Sequence, residues 1–225
     1  MVFGGIFGKR AAPQGLSAPD FANGDIQGFW RWYAANGAAL RNASPAARSG
    51  AAVPEQMIVQ VTAALRRIDP GLAFAMGMDA DGDHELVISG EGVMSVFPSV
   101  IALASAAPPM PGHKVTAFRQ RQHGSIKIEG RTIAPADVGY ESSKDPDQER
   151  LDVIVYLPVP ADMDRRQMAQ FGFLLLDCVL GEYDVATSLG GIEFASTSTA
   201  SDRRLKPLPL LAEEVDALNR ERRAH

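Results

Sequence analysis

Asp177 is the residue whose chemistry stands out in this sequence. It lies inside Phe171–Leu180, the most apolar run of the chain, where an unpaired carboxylate is expensive to keep ionised. It must therefore find partners or hold its proton more tightly, and either outcome marks a group worth locating. Arg119 and Arg121, within Ala117–Arg121, are candidate partners. Glu182, Tyr183 and Asp184 follow closely, and could form a polar pocket with Asp177 or simply face water. Read as the end of the same helix, these acids oppose its dipole, so their placement asks for another reason. The candidate polar site is thus Asp177, Glu182, Tyr183, Asp184, Arg119 and Arg121. A structural ion pair is the plainer account of Asp177.

Other motifs fail on their own terms. Gly4-Gly5-Ile6-Phe7-Gly8-Lys9-Arg10 has the wrong glycine spacing for a phosphate loop, lacks Ser or Thr after the lysine, and follows no strand. Asp79-Ala80-Asp81-Gly82-Asp83 resembles the opening of a calcium loop, but His84 and Gly90 stand where that loop needs its Gly and its closing Glu. An acidic hairpin tip explains it better. Cys178 has Leu174, Leu175, Leu176, Val179 and Leu180 beside it, surroundings that raise a thiol pKa, so a packing role is expected. At Ser188 the first glycine of a Gly-x-Ser-x-Gly elbow is replaced by Ala186. His84, His113 and His123 show no zinc-like spacing with one another or with Cys178. No catalytic residue can be named, and no metal or cofactor is expected.

The elements that must position these residues are legible from periodicity. Asp25 reads as the N-cap of a helix running to Leu40, with Phe29, Trp30 and Tyr33 on one face and Trp32 at its border. Residues 11–24 read as a linker and 43–53 as a loop. Pro54 opens a second helix with Met57, Ile58, Val61 and Leu65 as its apolar stripe, closed by Arg66, Arg67 and Asp69-Pro70-Gly71. Leu72, Phe74, Met76 and Met78 alternate as a strand, and Leu86 and Ile88 mark the returning one. Both apolar sets fall on one face only if the loop is Ala80-Asp81-Gly82, with Gly82 left-handed. Residues 94–106, with Met94, Phe97, Val100, Ile101, Leu103 and Ala104, read as a helix. Short strands are expected near Lys114–Arg119 and Ser125–Glu129, then a polar loop over 141–150. Leu151–Leu157 reads as a strand. Asp164–Leu180 reads as a helix that becomes apolar all round in its second half, hence the most buried one. Ile192 and Phe194 mark a last strand, and 209–222 a last helix.

Grouped hairpins without βαβ alternation indicate an α+β fold, with a mostly antiparallel sheet and helices packed mainly on one face. No composition break separates two cores, so a flexible leader over 1–24 and one domain over 25–225 are expected. With 225 residues, 46% hydrophobic and 22% charged, the chain can bury a continuous core, and its single cysteine excludes a disulfide scaffold. A net charge of −5 argues against a general nucleic-acid binder. No apolar run is long enough to span a bilayer. Phe3, Ile6 and Phe7 precede Lys9 and Arg10, the reverse of a secretory signal, so the cytoplasm is expected. Charge is segregated: Ile68–His113 holds six acids and no Lys or Arg, whereas Lys114–Arg131 holds five bases and one acid. Adjacent strands of opposite sign would complement each other, while a two-toned surface would orient a partner.

Four segments, Phe29-Trp30-Arg31-Trp32-Tyr33, Leu86–Val93, Ala117–Arg121 and Leu174–Val185, resemble an uncharacterised family of bacterial proteins over about residues 25–195. That family has no established activity, so the resemblance implies no function. It does single out Leu180-Gly181-Glu182-Tyr183-Asp184 as important to the fold or to a site. The function expected first from the residues is a non-enzymatic module that binds another protein; the alternative is an enzyme or small-ligand binder with a polar pocket around Asp177 and Glu182–Asp184.

Overall fold

The computed structural model describes residues 16–48, 54–122, 124–128, 131–145, 149–200 and 203–224. The leader's Phe3, Ile6 and Phe7, and His123, lie outside them. The fold is α+β. Where the sequence shows no break, the chain falls into two compact units. One comprises residues up to Ile88 with Val96–Ala117; the other comprises Ser89–Ser95 with everything from Phe118.

In the first unit, Asp25 caps α1 (Ile26–Ala35), its carboxylate accepting the Gly28 N–H at 2.8 Å. The helix breaks at Asn36 and α2 runs from Gly37 to Arg48, so part of the expected 43–53 loop is helical. Residues 16–24 are not a free linker. Leu16 and Phe21 are buried, and the Ser17 carbonyl accepts the Trp32 indole N–H at 2.9 Å. Phe29, Trp30 and Tyr33 form a buried aromatic knot, with the Trp30 indole donating to the Leu103 carbonyl at 3.0 Å. α3 (Glu55–Ile68) buries Met57, Val61 and Leu65, but Ile58 is exposed. α4 (Phe97–Ser105) likewise buries Phe97, Val100 and Leu103 and leaves Ile101 exposed, as is Met94 before it. One apolar stripe per helix suffices here, and the residues beside the stripe face out.

The hairpin β1 (Ala73–Met78) and β2 (His84–Ser89) closes on Ala80-Asp81-Gly82, as the alternation requires. Asp79 N–H donates to the Asp83 carbonyl at 2.9 Å, and Gly82 takes a φ of 88°. β3 (His113–Ala117) adds to β2 in parallel, His84 opposite His113 and Glu85 opposite Lys114. Lys114 reaches Glu85 at 3.3 Å, so this pair of opposite charges complements across the two strands.

The second unit holds a two-stranded pair, β4 (Ile126–Ile128) and β5 (Arg131–Ile133), and a four-stranded sheet. That sheet runs β8 (Leu189–Ser196), β7 (Arg150–Leu157), β6 (Gly139–Asp145), β9 (Lys206–Pro207). β6 pairs antiparallel with β7 and β9, and β7 pairs parallel with β8. β6 replaces most of the expected polar loop. Its polar residues suit a strand because α7 (Leu210–Ala224) meets them with acids: Tyr140 and Ser142 donate to Glu214 at 2.8 and 2.7 Å, and Lys144 pairs with Glu221 at 2.6 Å. Leu151, Val153, Val155 and Leu157 enter one core with Leu175, Leu176, Leu211 and Val215.

α5 (Arg165–Leu180) is capped by Asp164, which accepts from Arg166 and Gln167 N–H. Gly172 lets it settle on β8, since a Cβ there would lie 2.0 Å from the Phe194 ring. Gly172→Ala is expected to destabilise by about 1–2 kcal/mol, because overpacking exceeds the roughly 1 kcal/mol of helix propensity gained. Urea unfolding reads this, and a stability equal to wild type would show that the ring moves aside freely.

Candidate functional site

α5 presents Gln170, Phe173, Leu174 and Asp177 at spacings i, i+3, i+4 and i+7, a single helix face. Contrary to an all-round buried helix, Phe173 is 43% and Leu174 44% exposed, while Leu175 and Leu176 are fully buried. This face lines a cleft of about 550 Å³, together with Glu91, Arg119, Arg150 and the segment from Val185 to Ile192.

The rim of the cleft is built on Glu182. Gly181, at φ 80°, ends α5, and a new helix, α6 (Glu182–Ser188), begins at once. Glu182 and Asp184 are therefore first-turn acids, favoured by the dipole that seemed to oppose them. Glu182 is only 1% exposed. Its Oε1 accepts the N–H groups of Gly90 and Gly92 at 2.9 and 3.1 Å, and its Oε2 accepts that of Arg119 at 3.2 Å. The turn it grips has Glu91 and Gly92 at φ 53° and 74°, with Val93 N–H returning to the Gly90 carbonyl at 2.9 Å. Phe118, before Arg119, is also left-handed at 63°. A left-handed non-glycine residue costs about 1 kcal/mol, so both residues need this enforcement. Glu182 is a positioning residue. It is not exposed to the cleft as a ligand group.

What it positions is an ion cluster. Arg119 pairs with Glu91 through one nitrogen and with Asp177 at 3.1 Å through the other. Burial opposes the guanidinium charge, yet Glu91, Asp177 and Glu182 hold its pKa above the ordinary value. Burial pushes Asp177 up to about 6, against the pull of Arg119 and with help from Glu182 and Glu91. Asp177 is thus both paired and raised.

The other candidates lie apart from it. Arg121 donates to the Leu180 carbonyl at 2.9 Å and pairs with Asp184 and Asp216, each at 2.7 Å. Its hydrogen bonds hold Asp216 below the usual carboxylate range. Tyr183 is exposed, its ring 5.3 Å from Phe118. Arg121, Tyr183 and Asp184 line a shallower hollow of about 360 Å³. Cys178 lies 3.5 Å from the Gln122 carbonyl, its thiol pushed up by burial. Sequence reading missed Glu91, Arg150, Gln170 and Ile192, and took Phe173 and Leu174 for core. The i, i+3, i+4, i+7 pattern that gathers Gln170 and Asp177 with them was the available signal.

In the first unit, the parallel β2–β3 register sets His84 and His113 side by side, ring centres 5.0 Å apart. His84 Nε2 lies 2.8 Å from the Tyr33 hydroxyl in full burial. Burial, then His113 and Arg41, push His84 down to about 4. Asp79 at the hairpin tip accepts the N–H groups of Asp81 and Asp83, the turn-capping role expected of it. Among the described residues no group of three or more His, Cys, Asp or Glu could hold a metal ion, and no helix is long and apolar enough to cross a membrane. No family model, curated protein or solved structure matches the chain.

Proposed function

We propose that this chain is a small-ligand-binding protein of the cytoplasm, with the Asp177 cleft as its site. The observation that carries the reading is the cleft's composition. Phe173 and Leu174 are large apolar side chains left open to it, beside the Glu91–Arg119–Asp177 cluster at its edge. Ligand sites have this character, mostly apolar walls with a few placed polar groups, and commonly enclose roughly 300–1,000 Å³. The lining offers no hydroxyl, thiol, amine or imidazole among the described residues, which favours binding over turnover. Among the described residues, several of the segregated charges that suggested a protein-binding surface are paired within each unit: Lys114 with Glu85, Arg119 with Glu91, Arg121 with Asp184.

Native mass spectrometry of protein purified gently from its host tests the reading. A stoichiometric small molecule is expected on the wild type and absent from Leu174→Asp, a substitution at an exposed position. A bare wild-type mass with a co-purifying chain that Leu174→Asp releases would replace the ligand by a protein partner.

A further inference from the structure

The cleft holds two arginines in unlike states. Arg119 is fully engaged, its guanidinium between Glu91 and Asp177 and its backbone N–H on Glu182. Arg150, the first residue of β7, lines the same cleft and pairs with no carboxylate among the described residues. Next to it in space is Gly190, where a Cβ would stand 3.5 Å from Cβ of Arg150. The neighbouring acid, Asp152, accepts the Gly191 N–H at 2.5 Å and also borders Gly190, without forming an ion pair with Arg150. Among the described residues, one cation of the lining therefore has no carboxylate paired with it, over an apolar wall of Phe173, Leu174 and Ile192.

We propose, on the reading of the cleft as a ligand site, that its occupant is an amphipathic organic acid: an apolar body against Phe173, Leu174 and Ile192, and one anionic group on Arg150. Arginine suits this role, because its planar fork can give two parallel hydrogen bonds to a carboxylate, sulfonate or phosphate. The Glu91–Arg119–Asp177 cluster sharpens the choice. It offers no open positive charge of its own, and its acids disfavour an anion seated at that end, which fixes the ligand's direction.

Two dyes differing by one group provide the test: 1-anilinonaphthalene-8-sulfonate, and N-phenyl-1-naphthylamine, the same body without the sulfonate. Each is titrated by fluorescence into the full chain, with urea unfolding as a control for folding. Arg150→Gln is expected to weaken the sulfonate by about tenfold, the order of one charge-assisted hydrogen bond, and to leave the neutral dye within about twofold. Arg150→Lys should recover part of the loss. Leu174→Asp should weaken both dyes. Equal effects of Arg150→Gln on the two dyes, or none on the sulfonate, would overturn the anion preference while leaving the cleft a binding site. Indifference of both dyes to Leu174→Asp would instead remove the cleft as the site, and the proposal with it.

Discussion

Replacing Glu182 by alanine is expected to lower the unfolding free energy by about 3–5 kcal/mol. The carboxylate is buried and holds three backbone N–H groups, those of Gly90, Gly92 and Arg119. A hydrogen bond to a charged group contributes about 1.5–3 kcal/mol, and partial relaxation or water entry brings the sum below the additive figure. Against a total stability of about 5–15 kcal/mol, that loss is large. Glu182→Gln separates packing from acceptance. The amide keeps the size, but whichever way it turns, its NH2 faces a backbone N–H, so about half the loss should remain. The turn at Gly90–Val93 should then exchange its amide hydrogens faster, since Glu182 Oε1 accepts both of its glycine N–H groups. Urea titration gives the energy, and hydrogen exchange over residues 89–95 gives the place. An alanine variant within about 1 kcal/mol of wild type would mean that the left-handed residues Glu91 and Phe118 hold their conformation without the clasp.

Local chemistry is legible in the sequence; partners across sequence distance are not. Asp25 and Asp164 cap helices as their positions demand, and the alternation of β1 and β2 dictated the three-residue loop with a left-handed Gly82. Each of these depends on neighbours within a few residues. β6 escaped because its sequence is polar, and what makes Tyr140, Ser142 and Lys144 strand-forming is Glu214 and Glu221, some seventy residues later. The His84–His113 contact escaped because a parallel pairing has no hairpin to announce its register. The candidate site was half legible. An acid in an apolar run points to Asp177 and to Arg119, which pair at 3.1 Å, but nothing in the sequence separates Arg121 and Asp184 from them. α6 was hidden by its neighbour. Gly181 breaks the helix for a single residue, so Glu182 looked like the end of α5 when it is the start of α6.

Asp177→Asn is expected to stabilise the protein at pH 8, by about 2–3 kcal/mol, although it removes one partner of an ion pair. In the folded chain the Asp177 carboxyl titrates at about 6, against an ordinary value of 3.8, with burial as the main cause and the pull of Arg119 already included. Between those two values the folded state holds a proton that the unfolded state has released. Stability from this group is therefore present at low pH and lost as pH rises through about 6. Asparagine copies the protonated form and does not titrate, so the variant's advantage should be small at pH 4 and complete by pH 7–8. His84 imposes the opposite slope in almost the same window. Its folded value of about 4 lies below the ordinary 6.5, so the unfolded state binds the proton first and stability grows as pH rises from 4 to 6.5. The two groups belong to different units. Burial also lowers His113 beside His84, so the histidines add stability to the first unit as pH rises while Asp177 removes it from the second, and the probes can be separated. Both tryptophans, Trp30 and Trp32, belong to the first unit and follow the His84 side, while hydrogen exchange along α5 follows the Asp177 side. Should Asp177→Asn prove less stable than wild type at pH 8, the Arg119–Asp177 pair is a structural fixture and the case for Asp177 as a group held ready for a ligand falls. If the gain appears, the protein keeps an ionised carboxylate at the edge of its cleft at a net cost to folding, which is what a group retained for binding, and not for stability, should show.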